Sequence, residues 1–441
     1  MQSNPEPIRL TEAEAERLTL LAGQAFTPRT PISSRELFAG RWGEIKQLVD
    51  AVSQVGLHVV LYGERGVGKT SLANVIPFLL EYFDKESKEP RDRPRIVVRT
   101  TANTTDSFAS VWGKALDEIY WHEDAPTFGF KPKPGTKVVT LRQAYGLEGD
   151  LTIDDVRRVL TTLPGSVFII DEFDRLPPEH TTQFTDLIKA LADGAVETTI
   201  ILVGVAETVD SLVRDHASIP RALVQVPLKP MQISELREIL ENAEKKLGIV
   251  IERDAGERIA VMSQGRPHYT HLVGLLAVRA ACARWSGVVF STDVSRAFEQ
   301  AVRAADHTIS KLYTEATHSA HAGALWGQVL LAGAIAAASD SDAFGYFQPA
   351  SVVEPLTAIL KKDRPVQIST FNGHLGEFCT DKRPVLERTG HPRAYRYRFR
   401  DPLVPPYVLM RGVADGMIGA ETLAKLLRMP TTALPYSSQE D

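Results

Sequence analysis

The sequence predicts an α/β chain: a parallel sheet flanked by helices, followed by an all-α segment and then a smaller module with a strand pair. Three observations predict it. Apolar runs of strand length recur at residues 57–62, 95–100, 166–170, 198–205 and 223–228, with helical stretches such as 152–163 and 181–193 between them. Runs of that kind are strands buried on both faces, and their alternation with helices implies parallel pairing. Beyond Pro230 only helical spacing continues, at 234–247, 255–262 and 268–285, with Gly248 and Gly265 as breaks. From about residue 320 short helices lead into two strand-like segments, 384–387 and 395–399, joined by Arg388-Thr389-Gly390-His391-Pro392. That last pattern is the outline of a winged-helix module.

Taken in order, residues 11–26 have helical spacing behind Thr11 and an acidic first turn, and Thr27-Pro28-Arg29-Thr30-Pro31 ends the pattern. Residues 1–33 are therefore read as a helix and linker, 34–229 as the α/β domain, 230–315 as a helical lid, 316–415 as the winged-helix domain and 416–441 as a C-terminal tail, polar from Pro435. Residues 123–149 are rich in Pro, Gly and Lys without clear periodicity, which reads as a surface insertion. The alanine-rich stretch 330–338 reads as a buried helix.

With 441 residues, 44% apolar and 24% charged, the chain is long enough for two or three cores and lacks the bias of a disordered or fibrous protein. Net charge is −5 with both signs mixed, so polyanion binding over the whole surface is excluded and any nucleic-acid contact needs a local basic patch. The two cysteines, Cys282 and Cys379, are far apart, which argues against a disulfide framework or a cysteine zinc site and for a reducing cytoplasm. The N-terminus is acidic, unlike a signal peptide, and no apolar run is long enough for a bilayer, so no membrane partner is expected. Asn103-Thr104-Thr105 matches the glycosylation triplet by chance in such a compartment.

Gly63-Glu64-Arg65-Gly66-Val67-Gly68-Lys69-Thr70, with Ser71 after it, stands between a predicted strand and a predicted helix. Glycines let successive backbone N–H groups turn toward phosphate oxygens, and the next helix presents its positive end to them. In such a P-loop Lys69 reaches the β- and γ-phosphates and the Thr70 hydroxyl ligates Mg²⁺, so ATP and Mg²⁺ are the expected ligands. Asp171 and Glu172 follow a buried strand directly; Asp171 is placed to hold Mg²⁺ and Glu172 to orient or deprotonate the attacking water. Asp174 and Arg175 read as a surface pair opening the next turn. Trp112 reads as a core aromatic. His268 and His271 are one helical turn apart, metal-compatible spacing, but without an evident third ligand.

The cradle, the acid pair and the helical lid together resemble an AAA+ ATPase. Within that superfamily Leu37-Phe38-Ala39-Gly40-Arg41-Trp42-Gly43-Glu44 resembles the Phe-x-Gly-Arg-x-x-Glu box of the origin-recognition, initiator-like and STAND-related branches. The resemblance implies that Phe38, Gly40 and Arg41 lie beside the adenine. It also implies an arginine acting on a neighbouring subunit's γ-phosphate, for which Ser218-Ile219-Pro220-Arg221 supplies Arg221, with Arg214 in reserve. The first sensor departs from the family pattern, leaving Thr208 or Glu207. Ser263-Gln264-Gly265-Arg266-Pro267-His268 resembles the second-sensor region and makes Arg266 a γ-phosphate contact, with His268 as an alternative.

The C-terminal module resembles the winged helix of initiator-type members. Lys382, Arg383, Arg388, Arg393, Arg396, Arg398 and Arg400 stand there against Glu387. Two functions follow as expectations: an ATP-hydrolysing switch that oligomerises with ATP at subunit interfaces and contacts double-stranded DNA through this basic strip, or a STAND-like signalling or defence ATPase whose winged helix recruits a separate effector protein.

Overall fold

A computed structural model describes residues 9–427 apart from 29, 33–37, 87–93, 126–134, 164, 205–220, 320, 322, 343 and 393. Contacts divide the chain into two compact units: one of residues 31–64 and 68–229, the other of the N-terminal segment to residue 30, residues 65–67 and the chain from 230 on.

The chain opens with α1 (Glu12–Ala25), capped reciprocally by Thr11 and Glu14, and this helix belongs to the unit of residue 230 onward. The other unit contains α2 (Trp42–Val52), β1 (His58–Gly63), α3 (Lys69–Glu86), β2 (Val97–Thr101), α4 (Phe108–Asp117), β3 (Tyr120–Ala125), β4 (Gly135–Thr140), α5 (Leu141–Ala144), α6 (Ile153–Thr161), β5 (Val167–Asp171), α7 (Pro178–Asp193), β6 (Thr199–Gly204) and β7 (Leu223–Leu228). Five strands form one parallel sheet in the order β2-β5-β6-β1-β7. Every residue of β5 and β6 is buried, as the apolar runs required. Helices hold the faces with apolar stripes: Trp112 of α4 is fully buried and sits 5.2 Å from Phe168 of β5 and 6.3 Å from Phe184 of α7, ring centre to ring centre. His58 at the start of β1 is buried too, and its Nδ1 accepts the Ile200 N–H at 3.0 Å, a side chain standing in for a backbone rung.

The expectation of an aperiodic insertion at 123–149 is corrected in part. β3 and β4 pair antiparallel, Tyr120 with Thr140 through Ala125 with Gly135, in a separate ribbon. Its exposed surface lets polar residues and glycine occupy strand positions, so no apolar alternation marks it.

The second unit continues through α8 (Ile233–Leu247), β8 (Val250–Ile251), α9 (Arg253–Met262), α10 (Pro267–Ala283), β9 (Val288–Val289), α11 (Ser291–Ala304), α12 (His307–Thr317), α13 (Trp326–Ser339), α14 (Pro349–Ile359), α15 (Asn372–Glu377), β10 (Leu386–Thr389), β11 (Arg396–Phe399), α16 (Val404–Ala414) and α17 (Ala420–Leu426). α8 stops where Gly248 turns left-handed (φ 67°), a backbone state that costs glycine little. A Cβ on Gly274 would lie 2.5 Å from the Phe26 ring, so α10 needs a glycine where the segment after α1 crosses it. One continuous apolar core runs from Ala15 to Leu423 and includes most of the predicted buried helix 330–338. β10 and β11 pair antiparallel, and Phe347 bridges to Tyr397 beside them. Among the described residues no helix is long and apolar enough to cross a membrane.

The described arginines of the basic strip have partners inside this unit. Arg383 lies 3.9 Å over Trp326 and donates to the carbonyls of Glu315, Ala316 and His318 at the end of α12. Arg396 pairs with Asp342 at 3.1 Å and Arg398 with Glu387 at 2.6 Å. Arg400 donates to the Leu386 and Cys379 carbonyls, and Arg388 stacks over Tyr395. Lys382 is exposed, and Arg393 lies outside the described residues.

Candidate nucleotide site

The loop after β1 is shaped by close backbone approach. Gly63 pairs with Leu228 on β7, and a Cβ there would sit 2.3 Å from the Leu228 carbonyl oxygen, a distance no side chain tolerates. Gly66 (φ 82°) and Gly68 (φ 97°) then take backbone conformations that an L side chain rarely adopts. α3 begins at Lys69 and runs 18 residues, so its unpaired first-turn N–H groups are aimed back at the loop. Lys69 Nζ lies across the loop and donates to the carbonyls of Gly63 (2.8 Å) and Glu64 (3.0 Å). Val67 is buried, while Thr70 in the first turn of α3 is half-buried. Ser71 Oγ accepts the Ile32 N–H at 3.2 Å and so fastens the preceding segment to α3. Arg65 is exposed and donates to Asp401 at 3.0 Å; residues 65–67 group by contacts with the second unit.

The acid pair stands on the same carboxyl edge of the sheet. Tyr62 of β1 pairs with Gly204 of β6, and Ile170 of β5 with Leu202, so Asp171 and Glu172 extend β5 to the level at which the loop leaves β1. Asp171 is 2% exposed; its Oδ1 accepts the Glu172 N–H at 2.9 Å and its Oδ2 accepts Arg99 Nη2 at 2.6 Å. Glu172 is left-handed (φ 53°, ψ 35°), a conformation that costs a non-glycine residue about 1–2 kcal/mol and is found at functional sites. Its Oε2 accepts Arg175 Nη1 at 2.8 Å, and that bond pushes the guanidinium's pKa up.

Asp174 and Arg175 are both exposed in the turn after β5, as expected, but the ion-pair partner of Arg175 is Glu172. Arg175 stands three positions after Glu172 across a single turn, within side-chain reach. Asp174 instead packs on the end of β6, where a Cβ on Gly204 would lie 3.1 Å from Asp174 Oδ1.

In the segment before α2, Phe38 is half-buried, and Gly40 and Arg41 are consecutive left-handed residues (both φ 65°). Arg41 is buried, and its Nη1 meets Glu44 Oε1 at 3.2 Å. The spacing Phe-x-Gly-Arg-x-x-Glu thus has a physical reason: the Glu lies one turn into the helix that the Gly-Arg bend begins.

Residues 25–276, more than half of the chain, match the family model described as novel STAND NTPase 1. The chain belongs to the novel STAND NTPase 1 family. Solved structures similar to this family member include the RuvB Holliday junction branch migration motor of Thermotoga maritima, 17% identical over 91% of this chain and 99% of that one, TM-score 0.43. Others are Orc1 of Aeropyrum pernix in complex with DNA (14% identical, 89% and 97% covered, TM-score 0.42) and a Walker-type ATPase of Pyrococcus abyssi (15%, 86% and 98%, TM-score 0.48). No protein of curated function matches the chain in sequence.

Of the remaining described candidates of this STAND NTPase, Arg266 alone is seen near the loop, its Cδ 3.9 Å from where a Cβ on Gly66 would stand. Arg221 is exposed at the entry to β7, whereas Thr208, Glu207 and Arg214 lie outside the described residues. Arg266, in the other unit, is buried at the N-cap of α10, with Pro267 in the first turn, and its N–H donates to the Ser263 carbonyl at 2.9 Å. His268 Nδ1 lies 2.5 Å from the Pro28 carbonyl oxygen, and His271 Nδ1 accepts the Thr27 N–H at 3.4 Å, so both rings face the segment after α1. Burial lowers the His271 pKa to about 4, with the nearby His268 charge adding to it. Among the described residues no group of three or more His, Cys, Asp or Glu could hold a metal ion; Mg²⁺ bound through one carboxylate and substrate phosphates needs none.

Two polar partners of the acids escape a reading of the sequence alone. Arg99 reaches Asp171 from β2 and Arg175 reaches Glu172 from the next turn. The one visible signal for the first is a charged residue in Val97-Val98-Arg99-Thr100-Thr101, a run otherwise suited to a buried strand.

Proposed function

We propose that this protein binds ATP with Mg²⁺ and hydrolyses it as a nucleotide-driven switch. The observation that carries the reading is the shared sheet edge: a glycine loop that opens a long helix stands two strands from a buried Asp followed by a left-handed Glu. The loop fits a nucleotide's phosphates, because its glycines leave N–H groups toward the space in front of α3 and Lys69 lies across it. The acid end of β5 fits a cation, because Asp171 already draws a guanidinium to itself.

In this reading Gly63, Glu64, Arg65, Gly66, Val67 and Gly68 wrap the phosphates, Lys69 exchanges its two loop carbonyls for β- and γ-oxygens, and Ser71 steadies the start of α3. Thr70 and Asp171 hold Mg²⁺, which when bound neutralises charge on the transferring phosphoryl group. Glu172 orients the attacking water and must first release Arg175. Phe38, Gly40 and Arg41 line the base pocket, and Arg266 senses the γ-phosphate. Arg221, exposed as a residue serving another subunit must be, acts in trans on a neighbour's nucleotide, so hydrolysis depends on assembly.

The C-terminal elements from α13 to β11 are read as a winged helix that contacts protein rather than DNA. Arginines committed to Trp326, Asp342, Glu387 and backbone carbonyls have less charge to offer a phosphate backbone, which supports this over the DNA-binding expectation.

The test is ATP turnover per subunit against protein concentration, with double-stranded DNA present and absent. Turnover is expected to rise with concentration, to lose that rise in Arg221→Ala, and to be indifferent to DNA. Concentration-independent turnover unaffected by Arg221→Ala would rule out the trans arginine, and DNA binding that weakens steeply with salt would restore the DNA reading.

A further inference from the structure

Arg99 has no part in the reading above, yet it touches the site's most buried acid. Parallel register sets Arg99 opposite Ile169 and Thr101 opposite Asp171, so Arg99 and Asp171 face the same side of the sheet, two residues apart on adjacent strands. Arg99 Nη2 donates to Asp171 Oδ2 at 2.6 Å, and the carboxylate's other oxygen accepts the Glu172 N–H. The Asp171 side chain is 3% exposed. A carboxylate so far from water needs a counter-charge, and the guanidinium supplies it.

That carboxylate is also the one assigned to the divalent cation. A guanidinium keeps its proton at any working pH, so it leaves Asp171 only by moving, and while it stays it repels a second cation nearby. The Arg99 side chain is 33% exposed, so rotation of its own torsions gives it a way into water.

The geometry points to Arg99 as a positioning residue that holds Asp171 in the metal-free site and exchanges with the divalent cation, thereby setting the cation concentration at which the site fills. This rests on Asp171 being the metal carboxylate. It differs from a structural ion pair in one respect: the pair is broken in the metal-loaded state.

The experiment is Mn²⁺ titration of the full chain with one equivalent of ADP, followed by electron paramagnetic resonance, for wild type, Arg99→Ala, Arg99→Gln, Arg99→Lys and Asp171→Asn. Half-saturating Mn²⁺ is expected to fall about fivefold or more in Arg99→Ala and Arg99→Gln, to stay near wild type in Arg99→Lys, and to rise at least tenfold in Asp171→Asn. In parallel, the thermal midpoint of Arg99→Gln is expected below wild type without metal and level with it at saturating Mn²⁺. Unchanged or higher half-saturation in Arg99→Gln, or a thermal deficit equal with and without metal, overturns the exchange. If Asp171→Asn binds Mn²⁺ as wild type does, the metal assignment itself fails and the inference with it. Should Arg99→Ala not fold, Arg99→Gln, which keeps a hydrogen-bond donor without the charge, carries the test alone.

Discussion

Gly63 and the Leu228 carbonyl face each other so closely across the β1–β7 ladder that a methyl group would force the strands apart. The loop's departure from the sheet is thus dictated by one hydrogen atom, and Lys69 is delivered onto the loop carbonyls by the helix that follows. A different constraint acts on His58 and His271. Burial holds both imidazoles neutral with pKa lowered from 6.5 to about 4, and in each Nδ1 accepts a backbone N–H that protonation would break. Between those pH values the unfolded chain binds more protons than the folded one, so the stability is fully present above pH 6.5 and is lost as pH falls toward 4. At about 1.4 kcal/mol per pKa unit each ring accounts for roughly 3 kcal/mol by pH 4. Urea midpoints are expected to drop between pH 7 and pH 4.5 while both imidazole resonances remain neutral by NMR. A ring that titrates near pH 6.5 in the folded protein would contradict this.

The elements differ in how far they could be read from residues alone. β5 and β6 were legible because strands buried on both faces must be continuously apolar, β2 and β7, which expose alternate residues, only through their Val and Leu content, and the helices from residue 233 on because Gly248, Gly265 and Pro267 mark their ends. The β3–β4 ribbon was not, since a solvated strand pair has no apolar face to reveal it. The arginines around the acids were invisible for another reason: Arg99 meets Asp171 only through the β2–β5 register, which no local pattern encodes. Likewise the run of basic residues near β10 and β11 looked like a phosphate-binding strip, whereas the fold gives each described arginine an internal partner. Arg383 shows the consequence. Its guanidinium covers Trp326 and bonds the last carbonyls of α12, groups that otherwise lack helical partners. Arg383→Ala is therefore expected to cost about 2 kcal/mol, read as a lower thermal midpoint, without moving ATP affinity. An unchanged midpoint with weakened DNA binding would return Arg383 to the role of a phosphate contact.

At the scale of the whole molecule, sequence patterning separated an α/β segment from a helical one near Pro230, and the contacts divide the chain there too. What patterning did not disclose is that α1 shares the core of the later unit, because a short amphipathic helix carries no label for the face it joins. Family membership and the loop make nucleotide the ligand class, and every step proposed for this switch depends on the division of labour between Lys69 and Glu172. The most direct measurement is ATP affinity and single-turnover hydrolysis for wild type, Lys69→Ala and Glu172→Gln, with folding checked by circular dichroism. Lys69→Ala is expected to lose ATP binding, whereas Glu172→Gln is expected to bind ATP about as tightly as wild type and to hydrolyse it at least about a hundredfold more slowly. Hydrolysis by Glu172→Gln at the wild-type rate, or undiminished ATP binding by folded Lys69→Ala, would contradict the site as built from these residues.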